Sequence, residues 1–207
     1  WQYLPSILLV YVAGIAAIYK SNWSFLPAIL CDNRISHVSE TGTRTETVME
    51  AIIDETVGRF TDEFPEGRSR HEPLGKLIYE SIRPVFKPYI PSSKEYEAIF
   101  DLFEALLAVF FLHIDKRLHT PRLIPQVAIS DYDPPRSLDY ILDFWRSGGR
   151  QGVGWGLLQA GLFEGDPEAL RRALNLHKEK MASATDAHDF SLHIQTHYLD
   201  AYNLAQE

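Results

Sequence analysis

Cysteine is almost missing from this 207-residue chain, which carries only Cys31. That excludes an internal disulfide framework and a multi-cysteine zinc site within the chain, and it fits a reducing, cytoplasmic setting. Nothing beside Cys31 in the sequence would activate it, so it is expected to be a small core residue rather than a nucleophile. Positive charge is also short. Twenty Lys and Arg stand against 28 Asp and Glu, for a net charge of -8 and a pI near 5.5. That balance disfavours a broad nucleic-acid or anionic-membrane surface, which needs clustered cations to meet phosphates. No apolar run reaches the roughly 20 residues that a membrane-crossing helix requires. The longest early run, 7–19, spans 13 residues, has no basic segment before it and ends at Lys20. It is expected to be a buried core helix. There is no long Pro/Gly/Ser linker, so residues 1–207 are expected to form a single domain. The chain also begins at Trp1 in mid-pattern, as a fragment of a larger protein would.

The strongest positive signal is one long helix over residues 92–119. Tyr96, Ile99, Phe100, Phe103, Leu107, Phe110, Ile114 and Leu118 recur at three- and four-residue steps, which stacks them on one helical face. Glu97, Asp101 and Glu104 form an acidic stripe on another face. Residues 105–112 are eight apolar side chains without a break, and a helix that is apolar all round must be covered on every side. Continuous from end to end, such a helix is about 40 Å long. Ser92 and Glu95 have capping-box spacing at its start. The fold class expected from this pattern is all-α: an irregular multi-helix bundle around a long central helix.

Other helices are expected on either side. Leu4 and Pro5 open the first, where Ala13, Gly14, Ala16 and Ala17 allow another helix to approach closely. Ser21 and Asn22 turn it into a second, shorter helix over 23–30. Residues 31–47 are polar and are expected to be an exposed loop, with Thr45 capping a helix through Phe60. Pro73 starts a helix that Pro84 and Pro88 kink or stop. The apolar stretch 123–129 is the only strand candidate. Asp133 and Pro134 open a helix through Leu138, Ile141, Leu142 and Trp145, ended by Gly148 and Gly149. A short apolar helix carries Trp155, Leu157, Leu158, Leu162 and Phe163. Asp166, Pro167 and Glu168 open the next one, to about Met181, and a last helix covers 186–204. No fixed-period repeat is present.

The order Tyr3-Leu4-Pro5-Ser6-Ile7-Leu8-Leu9-Val10-Tyr11, then Gly14-Ile15-Ala16-Ala17, then Leu26-Pro27-Ala28-Ile29-Leu30 resembles a helical segment in the C-terminal parts of large bacterial proteins that carry SIR2-like or NTPase domains. Many of those proteins act in antiphage or other conflict systems. Phe103-Glu104-Ala105-Leu106-Leu107-Ala108 resembles a pattern that follows at a similar distance. The resemblance covers about the first 120 residues. It implies a sensor, scaffold or interaction module whose partners are other domains of a parent protein or a separate protein. It carries over no catalytic residue, because the nucleotide-handling domains would lie outside this chain.

The residues themselves offer few chemical sites. Asp189, His193 and His197 stand four apart on the last helix, a spacing that puts a carboxylate and two imidazoles on one face and could ligate zinc or iron. The pattern lacks the Glu of a zincin, and no Glu-x-x-His pair on the central helix completes a di-iron site. A helical metalloenzyme built on these three residues is the alternative to the module reading, and partly buried histidines on a polar face are the plain one. No cofactor is implied. His113 and Asp115 are two apart, so they point to different helical sides. Residues 148–156 lack the Lys-Ser/Thr of a phosphate loop and are expected to be a helix break or close packing. Lys116, Arg117, His119 and Arg122, and Arg171, Arg172, Lys178 and Lys180, are expected to be solvated helix ends. The aromatics Tyr96, Phe100, Phe103, Phe110, Phe111, Trp145 and Trp155 fit core packing, or a pocket for a small-molecule sensor. No Gly-x-Ser-x-Gly elbow occurs.

Overall fold

The computed structural model describes residues 4–32, 34–39, 42–47, 73–114, 138–184 and 197–203. Its described core is all-α. In chain order the helices are α1 (Leu4–Tyr19), α2 (Phe25–Pro27), α3 (Pro73–Phe86), α4 (Ser93–Ile114), α5 (Leu138–Gln151), α6 (Gly156–Gln159), α7 (Pro167–Ala184) and α8 (His197–Asn203). A wider helical turn, Ala28–Asp32, continues α2, and tight turns Gly152–Gly154 and Leu162–Gly165 flank α6. None of the described helices is long and apolar enough to cross a membrane.

α4 is the centre of the molecule, as its composition requires. Every residue from 99 to 112 is buried, and α1, α3, α5 and α7 pack against it. Its start follows the cap signal: the Glu95 amide donates to Ser92 Oγ at 3.3 Å and the Tyr96 amide to the Ser92 carbonyl at 3.1 Å. The expected continuation past Ile114 lies outside the described residues.

α1 buries Ile7, Val10, Tyr11, Gly14, Ile15 and Ile18, a three- and four-residue stripe laid on α4. Leu8, Val12, Ala13, Ala16 and Tyr19 are partly buried against the same core and Leu9 alone in the run 7–19 is exposed, at 69 %, so the run is the core helix expected. A Cβ on Gly14 would lie 2.1 Å from the Phe103 ring, which places glycine there for close approach. The helix ends in a left-handed residue, Ser21 (φ 50°), with the Asn22 amide donating to Ala17 O and the Ser21 amide to Ile18 O.

α3 crosses Pro84 and stops at Phe86, burying Ile78, Ile82 and Phe86. Arg83 fastens it to the entrance of α4: Nη1 and Nη2 donate to the carbonyls of Ile90 and Pro91, and the guanidinium lies 4.6 Å over the Tyr96 ring.

Three expectations are corrected. Residues 31–47 are not a plain loop: β1 (Arg34–Ser39) and β2 (Gly42–Thr47) pair antiparallel, Arg34 opposite Thr47 and Ser39 opposite Gly42. Thr45 therefore sits in a strand, opposite Ser36; the helix expected over 45–60 lies outside the described residues from residue 48 on, as does the strand candidate 123–129. Thr43, Thr45 and Thr47 alternate along β2, and β-branched side chains suit a pleated strand without being apolar. Gly148 and Gly149 do not end α5. Both are buried within it, and a Cβ on Gly148 would meet the Trp155 ring at 2.7 Å. The helix stops two residues further on, before Gly152 (φ 52°). The apolar helix expected after it is broken by a left-handed bend, with Gly161, Phe163, Glu164 and Gly165 all at positive φ.

Candidate functional site

Asp189 and His193 lie outside the described residues. His197 opens α8 and is half exposed, with Nδ1 3.9 Å from Asp200 Oδ2. That carboxylate already holds a cation, since Lys178 Nζ on α7 donates to both of its oxygens at 2.8 and 3.1 Å. Among the described residues no group of three or more His, Cys, Asp or Glu side chains could hold a metal ion. Asp115 and the basic positions 116–122 are likewise outside the described residues. His113 packs against Phe110 and Phe163, with Nε2 3.7 Å from Glu164 Oε1.

Three of the basic residues of α7, Arg171, Arg172 and Lys178, are at the surface and each pairs with an acid; the side chain of Lys180 lies outside the described residues. Arg171 pairs with Glu168 and donates from Nε to Asn203 Oδ1 at 3.3 Å, while Arg172 reaches Asp166 at 3.5 Å. Both arginines lie in the first half of α7, so they act as surface partners of the acids that start it. Cys31 is half-buried beside the core, and Gly148 and Gly156 serve close packing, the latter against Trp23.

The chemistry-bearing side chains that the fold does bring together are inside it. Asp101 and Glu104 on α4 and His177 on α7 are the buried charged or polar residues of the described core, at 2, 2 and 0 % exposure. One turn separates Asp101 from Glu104, so the two carboxyls share a helical face. The acidic stripe is therefore turned inward at its last two positions, leaving only Glu97 half-buried.

Glu104 hydrogen-bonds to the buried phenol of Tyr11 on α1. Burial pushes its carboxyl up to about 8; the Tyr11 hydrogen bond pulls it part of the way back, and the nearby Asp101 adds a smaller upward push. At neutral pH it is mainly the neutral acid. Among the described residues its Oε1 has no hydrogen-bond partner, nor has the buried Trp145 Nε1 of α5. Burial also raises the Tyr11 phenol well above its ordinary value, reinforced by Glu104.

On the other side of Asp101, Tyr198 of α8 is wholly buried, and its phenol is raised by burial and by the Asp101 charge. Its ring stacks on His177 with centroids 5.4 Å apart and planes 10° from parallel. Trp145 lies 6.0 Å from the same tyrosine ring. The result is a sealed polar seam through an aromatic core, linking α1, α4, α7 and α8. It can hold a proton, and among the described residues its polar members are buried.

Sequence reasoning passed over His177 and Tyr11. Each nevertheless carried a signal, because each falls on the buried stripe of its helix: Leu170, Ala173, Leu174 and His177 on α7, and Ile7, Val10, Tyr11 and Gly14 on α1.

The chain matches no family model, no curated protein and no solved structure. The architecture and the buried seam therefore define the protein only as far as its class, an all-α bundle around a central helix whose residues 99–112 are buried.

Proposed function

We propose that this chain is a non-catalytic helical sensor or scaffold module of a larger bacterial protein of the antiphage-defence kind, acting in the cytoplasm. It packs against neighbouring domains or a protein partner and passes that contact to an effector elsewhere in the polypeptide. The observation that carries this reading is the sealing of Asp101, Glu104 and His177 at 2 % exposure or less, where they stiffen a core instead of meeting a substrate. Large apolar side chains, by contrast, stand outside: Leu9, Val85, Tyr89 and Val153 are each more than half exposed.

The test supplies this chain and the remainder of its reading frame as separate polypeptides. Stable co-elution is expected, weakened by Leu9→Asp or Tyr89→Asp without loss of fold. Independent elution together with turnover by this chain alone would overturn the reading. Metal analysis on the same preparation, made without an affinity tag, separates the alternative. Stoichiometric metal that disappears in His193→Ala and His197→Ala would argue for a metalloenzyme instead.

A further inference from the structure

Glu104 is placed where an ionised carboxylate is poorly served. It sits in the middle of the stretch of α4 that is buried all round, its Oε1 has no partner among the described residues, and its hydrogen bond runs to Tyr11 on a different helix. A neutral carboxylic acid tolerates one empty acceptor in an apolar core, whereas a carboxylate with the same empty oxygen carries an uncompensated charge out of water. The charged and titratable groups around it do not neutralise it. α1 offers the phenol of Tyr11 and α4 the second acid, Asp101. Tyr79 on α3 lies within the field of Glu97 and Asp101. α7 contributes His177, and α8 contributes Tyr198 and Tyr202, all buried. The titratable side chains of α5 and the Glu164 carboxylate of the left-handed bend are at least partly exposed.

The partner that would satisfy Oε1 is water, and water reaches it only if a covering helix moves. α1 is the cover that holds Tyr11. It grips α4 through ring contacts, Tyr11 on Phe100 and Phe103 at 5.7 and 5.3 Å, and through Phe103 seated at Gly14. Its C-terminal end is pinned: the Tyr19 hydroxyl donates to the Tyr89 carbonyl at 3.0 Å, and the left-handed cap at Ser21 closes the last turn. The middle of the helix, through Tyr11, carries the contact with Glu104.

We propose that the seam between α1 and α4 is a proton-operated latch, closed while Glu104 carries its proton and released when that proton leaves. Release moves one proton from the Glu104 carboxyl to solvent and admits water to Oε1; no other bond is made or broken. The latch needs only this chain, so its test and the test of the interaction reading fail separately.

The sign follows from linkage. The folded carboxyl titrates near 8, above its ordinary value of 4.5, so the closed form is favoured fully below the ordinary value and loses ground as pH rises to about 8. Opening is then favoured by up to about tenfold per pH unit across that interval and levels off above it.

Amide hydrogen exchange on the full chain, corrected for intrinsic rates, reads this directly. Between about pH 5.5 and pH 8, α1 amides are expected to lose protection relative to those of α7 in the wild type. In Glu104→Gln, which keeps the shape and cannot ionise, they are expected to stay protected. Identical profiles in the two proteins would overturn the latch. Should Glu104→Gln fail to fold, infrared difference spectra of the wild type decide. A buried protonated carboxyl C=O band present at pH 7 and lost above about pH 8 supports the proposal, and its absence at pH 7 overturns it.

Discussion

A single hydrogen atom on Gly14 sets how closely α1 can lie on α4. The Phe103 ring that fills the space beyond it is fully buried, so it has nowhere to retreat when a methyl group arrives at 2.1 Å. Gly14→Ala is expected to destabilise the fold by about 2 kcal/mol, even though alanine is the better helix former. Urea unfolding followed by circular dichroism checks this, and a stability equal to or above wild type would remove close packing as the reason for the glycine. The need for glycine was legible in the sequence from its setting among Ala13, Ala16 and Ala17. The depth of Asp101 and Glu104 was not. A charged residue on a helix is ordinarily solvated, and their burial follows from helices far off in the chain: α1, through Tyr11, over Glu104, and α7 and Tyr198 of α8 on the side of Asp101. Local spacing holds no record of which helix will cover an acid.

Helix starts were the most legible elements, because a cap is a local bargain between one side chain and the next three amides. Asp166 holds the start of α7 with two bonds, from the amides of Glu168 at 2.9 Å and Ala169 at 3.1 Å. Ser92 makes one, at 3.3 Å. Asp166→Ala is therefore expected to cost more than Ser92→Ala, about 1.5 against about 0.5 kcal/mol, with Asp166→Asn in between or milder. Equal losses in thermal melts would show that the second bond contributes nothing. Helix ends were harder to read. Gly148 and Gly149 carry the residue type of a stop signal and serve instead as a flat surface for Trp155, while the left-handed residue that does follow the helix is Gly152. The β1–β2 hairpin was missed for a related reason: its strands lack the alternating apolar pattern that marks a half-buried sheet, and their β-branched threonines are polar.

Across the whole molecule, the enclosed helix was readable because composition alone required it: eight consecutive apolar residues must be covered by something. Which helices cover it, and in what order, depended on contacts distant in sequence. The same enclosure predicts a division of tolerance. Leu9 points outward from α1, so Leu9→Lys is expected to change stability by no more than about 0.5 kcal/mol. Ile15→Lys, at the same helix's fully buried face, is expected to prevent folding. Yield and cooperative melting of the two variants check the contrast; comparable damage from both would mean that the outer face of α1 is covered too.

The tryptophans have an optical consequence. Trp23, Trp145 and Trp155 gather around Phe144, with ring separations of 5.8, 5.1 and 4.8 Å from it. Their emission therefore reports chiefly on the docking of α5 and the turns around α6. Tyr11, at the interface of α1 and α4, contributes only as a weaker donor of excitation. With Trp1, which lies outside the described residues, replaced by phenylalanine, a loosening confined to α1 should leave the emission of the other three tryptophans nearly unchanged, while global unfolding should shift it to the red, so one fluorescence trace tells the two events apart.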